Sequence, residues 1–277
     1  MAMAAERTWN RRLAAALCVA ALGLAGCGSD DESGASGTRV ARSGDKATPE
    51  AATTSKATGG TKPIDVSEPE KPESLRLLDG GNPTVYLRLK QTVDLYDEPG
   101  GKVVESVGHS TSFGSRTVYA VTDQQDDWAA VLTPYTENGE PLWLELDPER
   151  LKAGRSAWDI EVDLSEFETR VYENGKLVKT FQVSVGMPTS PTPTGRFAIT
   201  DTFRGGLNAA YGCCALATTG RQVNLPSGWL GGDRIAFHGT TGPLGAEVSH
   251  GCVRAADRDI SDMVDMVPPG TPVEVHE

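Results

Sequence analysis

No phenylalanine, tryptophan or tyrosine occurs between Trp9 and Tyr86, and that gap decides where a folded core can lie. Across residues 28–74 the aliphatics beyond alanine are Val40, Ile64 and Val66, scattered among serine, threonine, glycine, proline and charged residues. So little apolar surface cannot offset the entropy lost in ordering the backbone, and residues 27–74 are expected to form a disordered tether. The chain from about Leu75 onward is long enough for two small domains with cores of their own. Glycine and proline number 31 and 17. That composition favours short strands and many turns over helical bundles, so the expected fold class is mainly β.

The sequence before the gap has its own pattern. Arg7, Arg11 and Arg12 precede an apolar run from Leu13 to Ala25. The run falls short of the ~20 residues a bilayer-spanning helix requires, so residues 1–26 read as a signal peptide. The segment Leu24-Ala25-Gly26-Cys27 resembles the lipobox of bacterial lipoproteins. That resemblance implies lipidation at Cys27, attachment to the membrane through the lipid, and an extracytoplasmic place in the cell envelope. Acidic residues outnumber basic ones 38 to 26, for a formal charge of −12. This balance argues against nucleic acid as a partner and against a polybasic membrane contact, since both need a positive face.

Short alternating segments open the folded part: Val85 to Leu89, Val93 to Tyr96, Thr117 to Val121, Trp128 to Leu132 and Leu142 to Leu146. Strands at this spacing, separated by polar or glycine-containing turns, predict a small antiparallel barrel over residues 75–152. The spacing resembles that of bacterial Src-homology-3-like barrels, a family of wall-associated binding modules. Trp128 and Trp143 stand near strand starts, where core packing and ligand contact are both open to them.

A second β-rich region covers residues 155–277, with one or two short helices expected. Ile160, Val162 and Leu164 alternate, and strands over Thr169 to Glu173 and Lys176 to Val185 flank Asn174-Gly175, the pair best suited to a type I′ hairpin turn. Three prolines within 187–195 restrict that segment to an extended loop before a strand over Arg196 to Thr200. Then come Phe237-His238-Gly239-Thr240 and Ser249-His250-Gly251-Cys252-Val253-Arg254. Imidazole and thiol this close are the elements of nucleophilic catalysis, in which a base makes the thiolate that attacks a carbonyl. An extended 249–254 segment would put His250, Cys252 and Arg254 on one face, with Gly251 admitting a substrate backbone between them. Arg254 would favour the thiolate and could hold a substrate carboxylate. Asp257 is a plausible N-cap for a helix whose Ile260, Met263, Val264 and Val267 share one face, with Pro268 ending it. Cys252 would then lie just before a helix N-terminus, where the dipole stabilises an anion.

The array His238-Gly239-Thr240 with Ser249-His250-Gly251-Cys252 resembles the active-site signature of bacterial L,D-transpeptidases, and Pro191 to Phe197 is similar to the family's segment ahead of the site. The resemblance implies a β-sandwich catalytic domain and a cysteine acyltransferase, without cofactor or metal, that cross-links peptidoglycan stem peptides 3→3 as a monomer. Carried onto these positions, it makes Cys252 the nucleophile, His238 the base and His250 a secondary imidazole. The Gly239 carbonyl would orient His238, and the amide of Cys252 would serve an oxyanion hole. Ser249, Thr240, Gly251 and Arg254 fall to substrate binding or local geometry, and Tyr211 to the opposing wall. Two other readings stand beside it: a tethered wall-binding protein whose enzyme fold has lost activity, and a zinc-dependent wall hydrolase using His238, His250 and Cys252. Cys213 and Cys214 are adjacent, with Cα atoms ~3.8 Å apart, which favours two unpaired, buried thiols over a bridge between them.

Overall fold

The computed structural model describes residues 84–229 and 232–277. The expected signal peptide at 1–26, lipidation at Cys27 and the tether at 27–74 lie outside the described residues. Among the described residues, no helix is long and apolar enough to cross a membrane.

Seven antiparallel strands form the first, barrel-like sheet: β1 (Thr84–Leu89), β2 (Val93–Tyr96), β3 (Val103–Val107), β4 (Val118–Gln125), β5 (Trp128–Val131), β6 (Leu142–Glu145) and β7 (Leu151–Ser156). Their order is β3-β2-β6-β5-β4-β1-β7. Val85, Leu87 and Leu89 alternate inward along β1 and meet Leu95, Val121, Val131 and Leu144 in one buried cluster. Two of the seven strands escape sequence reading. β3 is exposed at every position but Val107, because it is an edge strand with β2 as its one neighbour. β7 lacks β-branched residues and is defined by its six-residue pairing with β1. Trp128 and Trp143 are both half-buried on the outer face, and Trp128 meets Tyr96 edge-on at 5.0 Å.

The second sheet has eight strands: β8 (Trp158–Asp163), β9 (Glu168–Glu173), β10 (Lys176–Gln182), β12 (Gly195–Phe203), β13 (Ala215–Arg221), β14 (Arg234–Thr240), β16 (Val253–Ala256) and β17 (Pro272–His276). They are ordered β10-β9-β8-β17-β12-β13-β14-β16. The short strands β11 (Val185–Gly186) and β15 (Glu247–Ser249) pair in parallel beside it. The β9–β10 hairpin turns on Asn174 and Gly175 with φ of 51° and 73°, the two positive values a type I′ turn needs. Parallel pairing of β17 with β8 and of β14 with β16 makes this sheet mixed. Helix α1 (Asp257–Met266) presses Ile260, Met263 and Val264 into the core, where they meet Phe197, Leu216 and Phe237. Val267 is its C-cap and Pro268 comes next. Asp257 is not the N-cap: that place belongs to Ala256, which makes no side-chain cap bond, and the Asp257 carboxylate is used elsewhere.

The two sheets belong to one compact unit. Ala120 and Leu132 from the first bury against Ala198 of the second, and Ser156 Oγ lies 3.2 Å from Thr271 Oγ1. Burying the Leu132 side chain alone is worth about 2 kcal/mol relative to leaving it in water.

Candidate active site

His238 stands on β14, between β13 and β16, and is 3% exposed. Its Nδ1 lies 2.9 Å from the carbonyl oxygen of Gly239. A carbonyl can only accept, so that contact puts the proton on Nδ1 and leaves the Nε2 lone pair free. Burial pushes the imidazole below its usual pKa; the Gly239 carbonyl opposes this in part, and the charge of Arg254 adds to it. The His238 imidazole is therefore neutral at neutral pH. Tyr211, on a short 3-10 turn (Ala209–Tyr211), sets its ring edge-on to the imidazole at 5.0 Å.

The stretch from Ser249 to Arg254 is not one extended strand. β15 ends at Ser249, β16 starts at Val253, and Gly251 bends the chain between them with φ +112°. The expected alternation of His250, Cys252 and Arg254 on one face does not hold across that bend. Nor does Gly251 make room for a substrate. A Cβ there would strike the Gln222 amide and come within 2.9 Å of Ile235 Cδ1, so the glycine is demanded by the protein's own packing.

Side chains distant in sequence hold the bend. Gln222 Nε2 donates to the carbonyls of Pro191 at 2.9 Å and His250 at 3.1 Å. Thr192 Oγ1 donates to the Gly251 carbonyl at 2.8 Å. Ser249, fully buried, donates from Oγ to the Cys252 carbonyl at 2.6 Å and accepts from the Gly251 amide at 3.0 Å. Three successive carbonyls, of His250, Gly251 and Cys252, are thus each tied to a side-chain donor. The His250 ring is flanked by Trp229, at 5.1 Å and 44°.

Cys252 is a free, partly buried cysteine whose Sγ lies 3.9 Å from the Arg234 carbonyl oxygen. Burial pushes its thiol pKa up, against the opposing pull of the Ala236 main chain and of Arg254. The expected help from the helix dipole is absent. β16 intervenes before α1 starts at Asp257, a path of about 16 Å at ~3.3 Å per residue, and the dipole acts only within its first turn. The Ala236 main chain and Arg254 favour the thiolate, and burial outweighs both.

Of the other expected site residues, Gly239 has two roles. Its carbonyl holds His238, and its missing side chain leaves space for the Asp257 carboxylate, which accepts from the Cys213 amide at 3.1 Å. Arg254 is half-buried; its main chain exchanges two 2.8 Å bonds with Ser184, and its Nε is buried without a partner. Thr240 ends β14, and its hydroxyl accepts from the Gly242 amide at 3.0 Å, shaping the adjoining turn. Cys213 and Cys214 are not two free thiols: they are joined to each other. The 3.8 Å Cα separation that argued against a bridge is the one found, and the two side chains close on each other across it. Among the described residues, no group of three His, Cys, Asp or Glu side chains is placed to hold a metal ion.

Gln222, Thr192 and Trp229 are site neighbours that sequence reasoning does not single out, and it gives Asp257 a different role, at the helix N-cap. Thr192 sits in the proline-restricted segment, a visible signal. Gln222 carries none, since its importance lies in carbonyls 28 and 31 residues away.

A buried, tautomer-fixed imidazole thus stands on a strand whose parallel neighbour follows the cysteine loop, on a mainly β fold. Residues 157–275 match the family model of the L,D-transpeptidase catalytic domain, YkuD. The YkuD protein of Bacillus licheniformis, itself a candidate L,D-transpeptidase, is 33% identical over 125 residues, covering 42% of this chain and 64% of that one. Its counterpart in Bacillus subtilis is 31% identical over 109 residues, covering 37% and 56%. The chain thus spans less than two thirds of these relatives. A solved L,D-transpeptidase from Mycobacterium tuberculosis H37Rv shares 20% identity, covering 50% of this chain and 72% of that one with a TM-score of 0.35.

Proposed function

We propose that this protein is a peptidoglycan L,D-transpeptidase that forms 3→3 cross-links through a thioester on Cys252. The observation that carries the reading is the imidazole of His238, buried and pinned through Nδ1 to the Gly239 carbonyl, one strand from a free cysteine. With thiol pKa raised and imidazole pKa lowered, the resting pair is neutral, and the proton moves when substrate arrives. His238 Nε2 takes the thiol proton as Cys252 Sγ attacks the main-chain carbonyl of the third residue of a tetrapeptide stem. The tetrahedral oxyanion is met by the Cys252 amide, whose loop is held by Ser249, Gln222 and Thr192. Collapse breaks the peptide bond, and the departing D-amino acid takes the proton from His238. The side-chain amine of a second stem's third residue then attacks the thioester and gives its proton to His238, which passes it to the leaving thiolate, so that an amide and a free thiol remain. Arg254 offers a positive charge for a stem carboxylate.

In this reading the N-terminal signal and Cys27 deliver the enzyme to the envelope as a lipid-anchored monomer. The first sheet serves as a Src-homology-3-like wall contact. The test is mass spectrometry of defined muropeptides with the purified protein. Loss of the terminal D-residue and a stem adduct on the Cys252 peptide are expected; unchanged muropeptides and an unmodified cysteine would overturn the reading.

A further inference from the structure

The chain leaves the second sheet at Arg221, the last residue of β13, and rejoins it at Arg234, the first of β14, and these two residues face each other in the ladder. From this excursion come Gln222, bonded to the His250 carbonyl, and Trp229, whose ring lies against that of His250. Both ends are gripped by the first sheet. Asn138, in the turn before β6, accepts from the Arg221 amide at 2.8 Å and donates to the Arg221 carbonyl at 2.7 Å, the two bonds a neighbouring strand would make. The Arg221 guanidinium donates to the Pro134 carbonyl at 3.2 Å and pairs with Asp233. At the other end the Arg234 guanidinium lies over the Phe113 ring at 5.8 Å, and Thr111 donates to the buried Asp201 beside it. The main-chain carbonyl of that same Arg234 is the one 3.9 Å from the Cys252 sulfur.

We infer that the first sheet is a working part of the catalytic site, with Asn138 as a positioning residue that acts through Arg221 to seat Gln222 and Trp229 against His250. Plain packing between the sheets is already met by the buried contact of Ala120 and Leu132 with Ala198. Asn138 adds no apolar burial there. Its paired bonds replace bonds to water at small net gain, so what they supply is register at one end of the segment. The consequence for turnover rests on Cys252 being the nucleophile; the mechanical coupling does not.

The experiment compares the full-length protein with Asn138→Ala, Trp229→Ala and the double variant. Alkylation of Cys252 by iodoacetamide is followed across pH by peptide-resolved mass spectrometry, beside acylation by a tetrapeptide donor and thermal melting. Asn138→Ala is expected to change the alkylation rate at least threefold and to lower acylation about tenfold, with melting nearly unchanged. The double variant should be no slower than the slower single one, because residues acting along one path are not additive. Wild-type alkylation and acylation rates in Asn138→Ala, or losses that multiply in the double variant, would overturn the inference. A fall in melting that accounts for the lost rate would do the same, assigning Asn138 to packing alone. If the wild-type protein takes no acyl group from the donor, the transpeptidase reading fails, and the alkylation profiles still decide whether Asn138 is coupled to Cys252.

Discussion

His238 and Cys252 come to the same place by opposite means. His238 sits inside a regular strand, flanked by hydrogen-bonded neighbours, and its proton is placed by the very next residue. Cys252 sits at a bend between two strands, and its position depends on Gln222, Thr192 and Ser249, two of them far away in sequence. The imidazole is thus set by local structure and the thiol by tertiary contacts. Such a division leaves the imidazole insensitive to most distant changes, while the cysteine loop responds to anything that moves its supports.

The sharpest break is chemical. Cys252→Ala should abolish thioester formation outright, whereas His238→Ala should slow it about 10³-fold, the usual worth of a positioned base. Intact mass after incubation with a tetrapeptide donor separates the two, and an adduct surviving in Cys252→Ala would move the nucleophile to another residue. Next in size is Gly251→Ala. A side chain there meets both a positive φ and the Gln222 amide, for a cost of about 2–4 kcal/mol, read as a lower midpoint in denaturant. Thr192→Val should cost less, about 1–3 kcal/mol, by leaving the Gly251 carbonyl without its donor. If either variant kept full acylation, the bend would not depend on these supports.

The pH profile sharpens the same contrast. Because burial raises the thiol and lowers the imidazole, alkylation of Cys252 should have its midpoint above the ordinary thiol value of about 8.5. Arg254→Gln should move it higher still. A midpoint below the ordinary value would mean a resting thiolate–imidazolium pair instead. The smallest effect lies outside the site, at His276 on β17, whose Nε2 is 2.9 Å from Glu161. Glu161 raises the pKa of His276, so this pair stabilises the fold fully below the unfolded imidazole value. That contribution is lost as pH rises through the raised folded value. Glu161→Gln should lower the His276 midpoint in an NMR titration; no change would remove the coupling.

Much of this is legible from local pattern. The alternation of β1, the Asn174-Gly175 hairpin and the buried face of α1 all arise from side chains a few residues apart. The spacing of His238, Ser249, His250, Gly251 and Cys252 is what points to a candidate site. Where local pattern misleads, the cause is distance. Strand β7 exists because β1 lies beside it. Gly251 has the look of a space for substrate, yet Gln222 occupies that space. Asp257 has the makings of a cap, yet its carboxylate is drawn to the Cys213 amide.

The sequence alone brought a thiol and two imidazoles close together, the basis of the chemistry proposed for the site. It also determined the mainly β class, through turn residues and period-two alternation. The tertiary structure decided the protonation state of the pair, since burial is a property of neighbours and not of the residues themselves. It decided, too, that the first sheet grips both ends of the segment over His250, through Asn138 and Phe113. A hydrogen bond between residues 83 positions apart leaves no periodic trace in the chain and exists only once both sheets have folded together.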